Sequence, residues 1–348
     1  MTGRRLAILA EDTLDFHHGK TATSLLRYRP DDVVAVIDST HDGETTGTLL
    51  GLAGATPICR DVEAAMPYGP DTLLIGIAPR GGGLPDAWRA QILFAIEHDL
   101  DVVSGLHFML SEDREFASAA RNHGVKLVDV RQPPDDIAVV SLRPRRAGSQ
   151  VVTFVGSDCA VGKMTAALEV TQAARARGFS AAFVATGQTG ILLEGRGVAI
   201  DRVIGDFMSG AVEELVVNAA ESADWVFVEG QGSLLHPAYS GVTLALLHGS
   251  APDAMILVHP PGHEQIDEYP VAVPDVRRLV EVYEQAAGWI RPAKVVGLAL
   301  NTRALTEDDG RRAIEEARAA TGLPATDPVR FGADVLVDAI TAVRYPDG

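Results

Sequence analysis

The chain is short of cysteine, of aromatic side chains and of positive charge, and each shortage narrows what it can be. Its two cysteines, Cys59 and Cys159, stand far apart and without pattern, which excludes a disulfide framework or a zinc module. Lys and Arg number 30 against 47 Asp and Glu, a formal net charge of −17, which argues against nucleic-acid and anionic-membrane partners. No apolar run reaches transmembrane length, and the opening MTGRRLAILAED carries no cleavage-site pattern, so the expectation is a cytoplasmic protein without a membrane partner. There is no repeat of solenoid period and no low-complexity tract. What remains is 348 residues, 47% hydrophobic but only 5% aromatic, a composition suited to an Ala/Val/Leu-rich α/β protein of two domains. A small-molecule substrate is the expected partner, with self-association left open.

The chain is organised around VVTFVGSDCAVGKMTAAL, residues 151–168. Val151–Val155 reads as a strand buried on both faces. It runs into Gly156, Ser157, Asp158, Cys159, Ala160, Val161, Gly162, Lys163, Met164 and Thr165, and the following AALEVTQAARAR reads as a helix. Strand, glycine-bounded loop and helix in that order predict a phosphate-binding loop: backbone N–H groups and a helix N-terminus face an oxyanion, and the lysine reaches outer phosphates. Two departures matter. Five residues separate the glycines where the common form has four, and Met164 stands where a hydroxyl normally ligates Mg²⁺. Thr165 follows about 100° around the helix. The loop is built to grip phosphates and less well built to hold a metal.

Upstream, βα alternation predicts a doubly wound parallel sheet. Strands are expected at Leu6–Ala10, Val33–Ile37, Thr72–Ile77, Val102–Ser104 and Lys126–Val130, with helices at 22–28, 86–97 and 112–123. Ligands of such a sheet lie beyond the C-terminal strand ends. Candidates there are Lys20 and Thr21 of His17-His18-Gly19-Lys20-Thr21, Arg80 beside three glycines, and His107. Asp38 ends the second strand, a ribose-binding position in dinucleotide folds, but no GxGxxG follows the first strand, so no nicotinamide cofactor is expected. The proline- and arginine-rich stretch before Gln150 marks the joint between domains 1–145 and 146–348.

In the second half, Ala181–Ala185 opens into Thr186-Gly187-Gln188-Thr189-Gly190, where Gln188 and Thr189 are candidate substrate contacts. The apolar strand Asp224–Val228 ends in Glu229, the second half of a nucleotide site, where a carboxylate reaches metal or water. Met255–His259 and Lys294–Asn301 are further strands, the latter delivering Asn301 as a base-edge contact. Asp158 and Glu229 are the candidate Mg²⁺ ligands.

The stretches GSDCAVGKMT, TGQTGILLEG, DFMSGAVE, EGQGSLLHPAYSGVTLALLHG and LPATDPVRFGAD resemble domain-of-unknown-function family 1611, whose named branch is the D-glutamate N-acetyltransferases. The resemblance covers nearly the whole chain and is specific over roughly 151–249. It implies a Rossmann-like N-terminal domain and a P-loop NTPase-like domain similar to dethiobiotin synthetase, both doubly wound. It also implies acetyl-CoA as donor and an acidic amino acid as acceptor; His17–Thr21 and His259–His263 depart from that branch and are expected to shape the acceptor end, so that the acceptor differs even where the donor does not. In that reading Lys163 grips the 3′-phospho-ADP of the donor, His236 is the base, and backbone N–H groups of Gly230–Ser233 hold the thioester oxyanion. A second reading, drawn from the dethiobiotin synthetase likeness, is ATP-dependent carboxylate activation with Mg²⁺ on Asp158 and Glu229. A third is a non-catalytic nucleotide-binding protein.

Overall fold

The computed structural model describes residues 3–15, 19–77 and 83–343. His17, His18 and Arg80, singled out above, lie outside the described residues. The backbone divides into two compact units: Met1–Pro133 with Gln188–Arg202, and Pro134–Gly187 with Val203–Gly348.

The first unit carries β1 (Leu6–Leu9), β2 (Val33–Ile37), β3 (Ile58–Cys59), β4 (Thr72–Ile75), β5 (Asp101–Ser104) and β6 (Leu127–Asp129). They form one sheet in the order β3-β2-β1-β4-β5-β6, every pair parallel. β1 is LAIL, buried at all four positions, as a strand covered on both faces must be. The helix Arg114–His123 starts where the Asp113 carboxylate accepts from the N–H groups of Glu115 and Phe116, a side-chain cap on otherwise unpaired donors. β3 was not foreseen, being only two residues long.

One piece of this unit comes from far along the chain. Gln188–Glu194, expected as part of a glycine-rich loop, is a helix, and its Leu192 is fully buried in the first unit's core. The Thr189 and Thr21 hydroxyls are 2.7 Å apart. Arg131, itself buried, donates to the Gly105 carbonyl oxygen at 2.6 Å and pairs with Asp201.

The second unit carries β7 (Gln150–Gly156), β8 (Ala181–Val184), β9 (Trp225–Val228), β10 (Ala254–His259), β11 (Lys294–Leu300) and β12 (Ala325–Thr326). Their order is β12-β11-β10-β7-β9-β8, again all parallel. The stretch Leu142–Ser149 belongs to this unit, where Glu213 accepts from the N–H groups of Ser141 and Arg143. The phosphate-loop strand β7 lies between β9 and β10. In a parallel sheet all three therefore release their C-terminal loops at one edge, side by side. Among the described residues no helix is long and apolar enough to cross a membrane.

Candidate functional site

β7 ends at Gly156, and the helix Lys163–Ala176 begins directly after Gly162. Between them the backbone turns through two left-handed residues, Ala160 at φ +53° and Gly162 at φ +108°, the second open only to glycine without strain. A Cβ on Gly230, at the exit of β9, would lie 1.7 Å from the Phe154 carbonyl oxygen and 3.0 Å from Lys163 Cδ. Only glycine lets the two strand ends approach this closely, and the lysine stem runs between them.

The loop is held from four sides. Tyr283 donates its hydroxyl to the Gly156 carbonyl oxygen at 2.6 Å. The Ser233 hydroxyl donates to the Ser157 carbonyl oxygen at 3.0 Å, and the Asn301 amide to that of Val161 at 3.1 Å. Lys163 Nζ curls back to the Asp158 carbonyl oxygen at 2.6 Å. The Ser157 hydroxyl is fully buried and has no hydrogen-bond partner among the described residues, an orphaned donor of the kind a bound phosphate oxygen would satisfy. Asn301, expected at a base edge, thus has its amide donor committed to the loop backbone. Met164 is buried in the core, so the position after the lysine contributes packing and no metal ligand.

Asp158 is the centre of the site. Its carboxylate is wholly buried: Oδ1 accepts from the Cys159 N–H at 2.6 Å, and Oδ2 from His263 Nε2 at 2.8 Å and the Asp267 N–H at 2.9 Å. The loop after β10 is thereby fastened across the phosphate loop. His259, the last residue of β10, is held down to about 4, well below an ordinary imidazole, by burial and then by the neighbouring His263.

His236 arrives on the loop after β9. Its ring lies 5.0 Å from that of Tyr269, and it groups with Asp158 and Cys159, the candidate ligand atoms of the three all within 4.8 Å of one another. The Ala238 N–H donates to His236 Nδ1 at 3.1 Å. The neutral ring therefore keeps its proton on Nε2, and the base role expected of it meets a side chain that offers a donor. Asp158, His263 and Asp267 form a second such group. Glu229 is in neither; its Oε2 accepts from the N–H groups of Thr186 and Gly187 at 3.0 and 3.2 Å. The two carboxylates named for Mg²⁺ are thus engaged with backbone donors, and no hydroxyl follows Lys163, so the residues present fit Mg²⁺ poorly.

The other expected contacts lie in the first unit. Thr21 and Thr189 meet, Lys20 is exposed at the start of its helix, and Gln188 opens the helix that follows. His107 stands 3.8 Å from the Asp201 carboxylate, held below the ordinary imidazole range by burial and the Arg131 guanidinium. Asp38, at the end of β2, is fully buried. Burial alone would raise its carboxyl, but bonds from the Thr40 and His41 side chains and the N–H groups of Thr40 and Asp12 outweigh that and hold it low. Buried and already accepting these bonds, it is not presented to a ribose. Sequence reasoning missed Tyr283 and Asp267 and gave His263 no partner. The signal for His263 was the strand before it, since β10 had to flank β7.

Comparison with known proteins places this geometry among others. The DUF1611 C-terminal domain, a P-loop domain of unknown function, matches residues 138–337, and the Rossmann-like DUF1611 N-terminal domain matches 39–133. A D-glutamate N-acetyltransferase of Tritonibacter scottomollicae is 40% identical over 336 residues, covering 95% of this chain and 97% of the relative. One from a Pseudoalteromonas species is 39% identical over 281 residues, 80% and 83% of the two chains. The crystal structure of a DUF1611 protein from Anabaena variabilis superposes with a TM-score of 0.94 at 41% identity, covering 98% of this chain and all of that one.

Proposed function

The chain belongs to the DUF1611 family and is a transferase, and from that premise we propose that it moves the acetyl group of acetyl-CoA to the amino group of an acidic amino acid, D-glutamate or a close analogue. The observation that carries the reading is the loop itself. The buried Ser157 hydroxyl without a partner among the described residues and the Lys163 ammonium on the same loop support a grip on phosphoryl oxygens, while Met164 stands where a metal-holding hydroxyl would be. A donor ending in 3′-phospho-ADP needs its phosphates gripped and none of them transferred, so it suits such a loop better than Mg·ATP does. Lys163 would leave the Asp158 carbonyl for the donor's phosphates. Backbone N–H groups of Gly230–Ser233, with the His236 Nε2–H, would supply hydrogen bonds to the carbonyl oxygen as negative charge gathers on it. The relatives named D-glutamate N-acetyltransferases support the same assignment.

Isothermal titration with acetyl-CoA and with Mg·ATP, paired with assays of CoA thiol release and ADP production over a panel of D- and L-amino acids, tests it. The expected result is acetyl-CoA binding unaffected by EDTA, and CoA release specific to acidic acceptors. Amino-acid-stimulated ADP production, or ligand binding without any turnover, would overturn it.

A further inference from the structure

Acetylating an amine requires a group that takes a proton from nitrogen as the C–N bond forms, and two histidines, His236 and His263, stand near the phosphate loop with opposite capacities. His236 has its lone pair committed, because the Ala238 N–H donates to Nδ1, and only a proton to offer from Nε2. His263 is the reverse. Its Nε2 proton is committed to Asp158 Oδ2 at 2.8 Å, and among the described residues its Nδ1 has no hydrogen-bond partner, so a lone pair is what it offers. Its side chain keeps 19% of its exposure while Asp158 keeps none. A buried carboxylate fastened by two backbone N–H groups, with an accessible imidazole on it, is the arrangement that fixes a histidine's tautomer and orientation.

We propose that His263 is the general base of the acetyl transfer and that Asp158 is its positioning residue, a role that rests on the N-acetyltransferase reading above. The acceptor, having lost one proton to solvent, attacks the thioester carbon as a free amine. His263 Nδ1 takes the second proton from that nitrogen as the C–N bond forms. The C–S bond then breaks and the proton passes from His263 to the departing CoA thiolate, leaving the amide, CoA-SH and a neutral imidazole. Through the middle of this sequence the imidazolium faces the Asp158 carboxylate. The phosphate loop thus does two tasks with adjacent residues: Ser157 and Lys163 address the donor, while Asp158 addresses the proton acceptor.

His263→Gln keeps an amide N–H for Asp158 but removes the basic ring nitrogen. It should lower kcat at least about 100-fold while KM for acetyl-CoA changes less than about threefold, and added imidazole should restore part of the turnover of His263→Ala. A parent-like kcat in His263→Gln, or a His263→Ala variant indifferent to imidazole, would overturn the assignment. Long-range ¹H–¹⁵N spectra of the unmodified protein test the tautomer without any assay: the neutral ring must carry its proton on Nε2, and a proton on Nδ1 sinks the idea. If CoA release fails in the parent as well, it is the transfer reaction that falls, and the spectra still decide the state of the dyad.

Discussion

The hydroxyl of Tyr283 donates to the carbonyl oxygen of Gly156 across 2.6 Å and accepts from the Leu234 N–H at 3.2 Å. One fully buried side chain on the helix Val276–Ala287 therefore fastens both the first residue of the phosphate loop and the loop after β9. Burial pushes its phenol above the ordinary tyrosine range, so it remains a donor at all working pH. Tyr283→Phe leaves the ring's packing and strips both bonds, a loss of about 1–3 kcal/mol. Urea unfolding should show it as a lower midpoint at unchanged slope.

Lys163→Met should separate charge from packing. The lysine stem lies against Gly156 and Gly230, and methionine keeps most of it. Losing the ammonium removes a charge-assisted bond worth about 1.5–3 kcal/mol, which is roughly 10- to 100-fold in affinity. Titration with acetyl-CoA should read that weakening, while far-ultraviolet circular dichroism stays unchanged.

Acid should weaken the fold through His259. Its folded-state value of about 4, against 6.5 for an ordinary imidazole, means the unfolded chain binds the proton first. Stability is therefore full above about pH 6.5 and falls as pH drops toward 4, by at most about 3 kcal/mol. His259→Gln should flatten that limb in denaturation curves compared at pH 7 and pH 5.

Arg131 holds the 188–202 stretch to the first sheet through the Gly105 carbonyl oxygen and Asp201. Arg131→Met should lower stability by about 1–3 kcal/mol, discounted because Asp201 is partly exposed. Hydrogen exchange should quicken first across Gln188–Arg202, ahead of β1 and β4.

The phosphate loop and both parallel sheets were legible because their signals are local. An apolar strand, a glycine-bounded turn and a helix lie within one short stretch, and βα alternation sets strand direction. The Asp158–His263 pair was not legible, since the two residues are 105 positions apart and meet only because β10 lies beside β7. Asp38 looked available at its strand end, yet neighbours three residues away or fewer take up most of its carboxylate. β3 and β12, at two residues each, are too short to carry a period. Gln188–Arg202 gave no sign of leaving its own sheet, because its pattern continues the alternation around it.

That excursion has a consequence for how the protein is made. The chain leaves the first compact unit after Pro133 and returns to it only from Gln188 to Arg202. During synthesis the Rossmann-like sheet emerges complete in its strands but without Leu192 in its core and without Asp201 for Arg131. It must wait, with apolar surface uncovered, until the ribosome has also delivered the phosphate loop and β8. A gene spliced at any single joint would separate at least one of the two units from part of itself.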